Sequence, residues 1–299
     1  MSSKAKKTIL IAVAAVCILV CVGSGLFLYQ YYHGVQVEST LLERMKTGTA
    51  EISSAPAPSD QPEQPEQDSG ETPEESHQTD AAPSEEEPLM KTVRLPVDFA
   101  QLQAEAPDIY AWLELPDTGI DDPVLQRAGA DLFYNSHNAY GQYYMCGAVF
   151  SQSAYNGRNF DSPMTVLYGH STVLGQPGAF MELNNYADEA YFDAHREMRV
   201  YMPDGMYVYR IFAACVHSNE HLLYCHDFSD ETQFDAFFSS LTEDTSPDSH
   251  IDAEALPQAG DKVLTLSTCY SANKNLRYLV MGVLEEFVPT AEAAGREAA

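Results

Sequence analysis

The chain has 299 residues, with 44 acidic against 16 basic side chains and a formal charge of −28. That balance excludes nucleic acid as a partner, because phosphate binding needs a basic footprint; it does not exclude a membrane, where a local basic cluster suffices. The hydrophobic content of 45% supports one domain of about 200 residues with accessory segments, or two small domains.

The charge is unevenly placed: +3 over residues 1–50, −12 over 51–88 and −19 over 92–288. Residues 1–8 form a basic N-terminus with Lys4, Lys6 and Lys7. An apolar run follows, and residues 9–29 are expected to form a transmembrane signal-anchor helix. Roughly 20 apolar residues span a hydrocarbon core. Tyr29, Tyr31 and Tyr32 fall where an aromatic belt would sit, and the lysines are expected to stay cytoplasmic. A cleaved signal peptide is the alternative, but its apolar region would be shorter and end in a small-residue site. Val16 and Val20, before Cys17 and Cys21, argue against lipidation. The remainder of the chain is then extracellular, at the cell membrane.

Residues 30–50 read as a juxtamembrane segment. Residues 51–90 read as a disordered, acidic, Pro-rich linker; its stretch 51–88 holds twelve acids, seven prolines and no Lys or Arg. Such text cannot bury enough apolar surface to offset chain entropy, and its charges repel one another, so it is expected to be an extended tether.

Residues 91–288 read as the folded domain. Eight short apolar segments suggest strands: Ala111–Leu115, Pro123–Gln126, Cys146–Phe150, Met164–Tyr168, Met198–Met202, Met206–Val216, Lys262–Thr268 and Arg277–Val288. Turn chemistry separates them, as at Pro203-Asp204-Gly205, and the pattern predicts a closed or sandwich-like β architecture. Three helices are predicted, starting at Asp98, Asp188 and Asp230. In the third, Phe234, Phe237, Phe238 and Leu241 fall on one face, which reads as core packing rather than a binding surface. Residues 289–299 read as a disordered tail.

Cys17 and Cys21 read as small hydrophobes within the apolar run. Cys146, Cys215, Cys225 and Cys269 could form two disulfides, or one disulfide beside a reactive thiol. His217, His221, Cys225 and His226 lack the second cluster a zinc site needs, so scattered loop histidines are the expectation and no metal is proposed.

Cys269 stands apart, at the end of a β-patterned segment beside the polar text SANKN. Arg277, eight residues on, starts the next strand and lies beside the thiol if the two strands pair. An adjacent cation favours the nucleophilic thiolate and can hold a developing oxyanion. His170 also ends a short apolar strand, after Gly169, which is expected to let the backbone turn so that the imidazole faces a cleft. Each residue alone is weak, since a lone Cys is usually core and a lone His usually surface. Together they make a nucleophile, a proton carrier and a cation assembled by the fold.

Thr265-Leu266-Ser267-Thr268-Cys269 resembles the TLxTC signature of sortases, the transpeptidases of Gram-positive cell surfaces. Arg277 and Tyr168-Gly169-His170-Ser171 resemble the family's arginine and histidine motifs, and the likeness covers roughly residues 95–288. Asp108-Ile-Tyr-Ala-Trp-Leu113 with Ile120-Asp-Asp-Pro-Val-Leu-Gln126, and Phe133–Asn138 with Gly147–Phe150, resemble class B, as does the helix placed before the Cys strand. The stretch Ala272–Asn275 departs from it, being short and free of acids.

The resemblance implies a mostly β fold: a closed eight-stranded sortase-type barrel with N-terminal helices and an extra helix before the catalytic Cys strand. It implies that Cys269 attacks a C-terminal sorting motif of a surface protein to form a thioacyl-enzyme, which an amine of a cell-wall peptide or of a pilin then resolves. His170 would serve as acid then base, and Arg277 would stabilise the oxyanion. Thr268 would lend its hydroxyl to substrate or to neighbouring backbone. No cofactor is implied, and class B members as a rule need no calcium. Alternatives are a pilin polymerase of the same chemistry, a hydrolytic cysteine peptidase and a non-catalytic scaffold.

Overall fold

The computed structural model describes residues 13–25, 29, 40, 42–46 and 91–297. Among the described residues eleven strands form. In chain order they are β1 Ile109–Glu114, β2 Asp121–Leu125, β3 Val149–Phe150, β4 Met164–Tyr168, β5 Thr172–Val173, β6 Gln176–Pro177, β7 Glu197–Met202, β8 Gly205–His217, β9 His250–Ile251, β10 Val263–Cys269 and β11 Arg277–Pro289. Eight of these follow one another as β11-β10-β4-β3-β2-β1-β7-β8, and β8 pairs back onto β11. The sheet is thereby a closed barrel, which removes the unpaired edges an open sheet would carry. Its eight strands correspond to the eight apolar segments of the sequence. The short β9 hangs on β8, and β5–β6 form a separate hairpin.

Two pairings are parallel, β4 with β10 and β2 with β3; the other ladders are antiparallel. The β4–β10 register sets Ser267 beside Tyr168, and the β10–β11 register sets Cys269 opposite Arg277. Alternate residues point inward, so Leu264 and Leu266 of β10 join Val200, Ile211 and Val280 in a fully buried interior.

Two further layers cover the outside. The helix Glu231–Ser240 is capped by Asp230, whose carboxylate accepts from the Gln233 amide at 2.9 Å. Its Phe234, Phe237 and Phe238 pack on Phe212, Leu279 and Met281 of the barrel wall, so the phenylalanine stripe is core, as its helical spacing indicated. On another side the helix Phe99–Glu105 packs through Phe99 and Leu102 near Trp112.

Residues 42–46 are helical. Met45 is buried in that same cluster, and Lys46 pairs with Asp121 at 2.7 Å. The packed body thus reaches back into the expected juxtamembrane segment, further than the apolar segmentation indicated. At the other end the expected frayed tail is instead a helix, Ala291–Glu297. The Thr290 hydroxyl accepts from the Ala293 amide at 3.2 Å, and Glu292 pairs with Arg296 one turn on; a cap and an i,i+4 pair both favour a helix.

Of the expected membrane span, residues 13–25 and 29 are described; they are helical and their side chains exposed. Among the described residues no helix is long and apolar enough to cross a membrane. Residues 1–12, 26–28 and 298–299, the expected tether at 51–90, and most of 30–50 lie outside the described residues.

Candidate active site

Cys269 closes β10 and is half-buried. Directly across the ladder, the Arg277 guanidinium reaches it, Nη1 to Sγ 3.7 Å. Arg277 is itself paired on its far side with His217 of β8, so three adjacent strands carry thiol, guanidinium and imidazole in one row. A fixed cation at this distance stabilises a thiolate and sits where negative charge on an attacked carbonyl would develop.

His170 lies one strand over on the other side of β10. The β4–β10 ladder continues past its last pair through Gly169 N donating to Ser267 O at 3.3 Å, and the Thr268 hydroxyl donates to Gly169 O at 2.8 Å. Those two bonds tie the residue before His170 to the two residues before Cys269. Of the two uses expected for the Thr268 hydroxyl, the structure shows the bond to neighbouring backbone.

The imidazole Nε2 of His170 bonds the Asn135 carbonyl at 2.9 Å. Asn135 ends the 3₁₀ turn Phe133–Asn135. That turn is braced from below: Arg127 Nε and the Tyr134 hydroxyl both donate to Asp108 Oδ2 at 2.7 Å, and Arg127 stacks 3.6 Å over the Phe133 ring. Burial pushes the Asp108 carboxyl up, but the Tyr134 and Arg127 hydrogen bonds and the Arg127 and Arg158 charges outweigh it and hold it below its ordinary range. Gly147 supports the turn at φ +60°, with its would-be Cβ 2.4 Å from Tyr134 O, so no side chain fits there.

Gly169 is needed for a different reason than the one expected. It does not adopt positive φ; a Cβ there would meet the Phe180 ring at 2.8 Å. The constraint is closeness to an aromatic ring, not a turn.

Cys269, His170 and Arg277 line one cleft of about 260 Å³ at the ends of β4, β10 and β11. His217 and His221 line it too, so two of the scattered loop histidines belong to its wall. His221 is held by Gln152 at 2.6 Å, and Glu220 stands 3.3 Å from His226 and 3.9 Å from His217. Among the described residues no group of acids, histidines or cysteines is arranged to hold a metal ion. Sequence reading missed Asn135, Gln152 and Glu220. Asn135 lies within the class B-like stretch Phe133–Asn138 but acts through its backbone carbonyl, and Gln152 and Glu220 carry no motif.

Of the four cysteines for which two disulfides, or one beside a reactive thiol, were expected, Cys215, Cys225 and Cys269 carry thiols. Cys215 is buried, and burial with the nearby Asp244 charge pushes its thiol up to about 12. Cys146 is buried as well, and Cys225 is exposed.

A closed eight-strand barrel with a thiol, an imidazole and a guanidinium at its strand ends is the frame of a cysteine transpeptidase. The sortase-domain family model matches residues 113–285, and the chain belongs to the sortase family. Sortase B of Listeria monocytogenes is 26% identical over 172 residues, 58% of this chain and 67% of that protein. Sortase B of Staphylococcus aureus is 25% identical over 175 residues, covering 58% and 68%. Among solved structures, a Streptococcus pyogenes class B sortase involved in pilus biogenesis superposes with TM-score 0.52 at 26% identity, over 63% of this chain and 98% of that one. The protein is a class B-like cysteine transpeptidase.

Proposed function

We propose that this enzyme is a membrane-anchored sortase that cleaves a C-terminal sorting motif of surface proteins and transfers them to a cell-wall peptide amine. The observation that carries the reading is Arg277 Nη1 set 3.7 Å from Cys269 Sγ in the cleft that His170 also lines. The Cys269 thiolate attacks the carbonyl carbon of the motif, and Arg277 holds the oxyanion. The C–N bond then breaks as His170 protonates the leaving amine, which leaves a thioester on Sγ. The incoming amine, deprotonated by the same imidazole, attacks that thioester and frees the thiol. Thr268 serves by locking Gly169, which keeps the two strand ends in register.

The anchor reading rests on the uninterrupted apolar text at 9–28, the basic residues before it, and a helix over 13–25 whose Val13, Val16, Ile18, Leu19 and Val20 are all exposed. Water disfavours such a surface and lipid does not. Cell localisation follows from it: single-pass, catalytic domain outside.

The test uses the full chain in detergent with a library of sorting peptides, read by mass spectrometry with and without amine acceptors. Transfer to a cell-wall peptide amine is the expected product, abolished by Cys269→Ala. Water as the sole acceptor at saturating amine would make the enzyme a hydrolytic peptidase. Preference for a pilin lysine over wall peptide would make it a pilin polymerase, a reading favoured by the pilus role of the Streptococcus pyogenes relative. Retention in carbonate-washed membranes, lost on deleting residues 1–30, tests the anchor.

A further inference from the structure

We propose that Asn184 is a positioning residue for the thiol: its carboxamide fixes the backbone at Cys269 against the loop that carries His170. The inference rests on Cys269 and His170 being the reacting pair.

Asn184 Nδ2 donates to the Cys269 carbonyl at 3.3 Å and to the Ser171 hydroxyl at 3.2 Å, while Oδ1 accepts from the Ser271 amide at 2.8 Å. The amide's orientation is set by chemistry. Only an oxygen can take the Ser271 N–H, and only an NH₂ can serve a carbonyl. One side chain thus grips the chain on both sides of Tyr270 and joins it to the residue after His170.

The grip falls where the sheet lets go. The β4–β10 register ends at Ser267 and Tyr168, and the β10–β11 register at Cys269 and Arg277. Beyond those pairs Tyr270 N still donates to Leu276 O at 3.2 Å, and the nucleophile's carbonyl takes its side-chain donor from Asn184. Asn184 comes from a stiff mount, the 3₁₀ segment Met181–Ala187, whose Leu183 and Tyr186 are fully buried. The residues leading into that segment are bonded to the His170 loop: Phe180 N donates to His170 O at 3.0 Å and Gly178 N to Ser171 O at 2.7 Å. Asn184 therefore ties the thiol's backbone to the scaffold that already holds the imidazole's. A reacting pair misplaced by about 1 Å can lose on the order of 10²-fold in rate.

The experiment compares Asn184→Ala and Asn184→Asp with wild type in the full chain. It measures kcat and KM for the sorting peptide, the pH dependence of iodoacetamide alkylation at Cys269, and Tm. Asn184→Ala is expected to lower kcat by about 10- to 100-fold with KM nearly unchanged. Asn184→Asp keeps the Ser271 bond but sets a carboxylate against the Cys269 carbonyl. It is expected to move the alkylation profile to higher pH, because negative charge disfavours the thiolate. Wild-type kcat and an unmoved alkylation profile in both variants would overturn the proposal. So would loss of activity that tracks only the folded fraction, which makes the contact merely structural. A parallel Cys269→Ala keeps the two questions apart: if it still cleaves, the assignment of the pair fails, whatever Asn184 does.

Discussion

The imidazole of His170 is held by the carbonyl oxygen of Asn135, 2.9 Å from Nε2. A carbonyl only accepts, so Nε2 carries the hydrogen, and in the neutral ring Nδ1 is the bare nitrogen. With Nε2 occupied, Nδ1 is the nitrogen left to accept a proton in the neutral ring. His170→Ala is expected to lower kcat/KM by roughly 10²- to 10⁴-fold. Steady-state assays of sorting-peptide cleavage check it.

Arg277 contributes charge and a planar fork together. Arg277→Ala is expected to cost about 10²- to 10³-fold in kcat, the range for losing an oxyanion donor. Arg277→Lys keeps the charge but not the fork, so it is expected to fall between Ala and wild type. Steady-state kinetics of the pair decides whether charge alone suffices.

Thiol labelling discriminates the cysteines. Cys269, half-buried beside Arg277, is expected to alkylate first in the native protein. Cys215, fully buried with its thiol pushed up to about 12, is expected to stay unlabelled until unfolding. Peptide mapping after brief iodoacetamide treatment, native and in urea, reads the order directly.

Much of this fold was legible because strand and turn chemistry alternate strongly. Met164–Tyr168 is apolar and β-patterned between Pro163 and Gly169, and Arg277–Pro289 lies between two polar stretches. That Cys269, His170 and Arg277 would come together was legible because each stands at or just past a strand end, where apolar text gives way to polar. The hairpin Thr172–Pro177 was not, because two-residue strands have no period to detect. Nor was Asn184, 85 residues before the carbonyl it binds; nothing local distinguishes it from Asn185. Gly169 was noticed for the wrong property, since the nearness of Phe180 is a tertiary fact.

Asp108 links stability to acidity. Its carboxyl is held below the ordinary value, so it contributes stability above the unfolded value of about 3.9, which is lost as pH falls through the lower folded value. Asp108→Asn is expected to cost about 1–3 kcal/mol at pH 7, and the difference from wild type should shrink in acid. Urea midpoints at pH 7 and near pH 3 test the sign. Because the 133–135 turn rests on this network, the variant is also expected to lower kcat.

Gly178 leaves no room behind the histidine. A Cβ there would lie 2.2 Å from the His170 carbonyl, so Gly178→Ala must displace the backbone that carries His170. The expected result is an enzyme that folds, with Tm lowered by a few degrees, but transfers at least about tenfold more slowly. Crystallography of the variant would locate the displaced loop.

The β4–β10 pairing is parallel, and it joins residues far apart in sequence: Thr268 meets Gly169 across 99 positions. Such contacts are late and entropically costly to close. Cys269 and His170 therefore come to share one cleft only once the barrel has shut. Reactivity here is a certificate of completed folding.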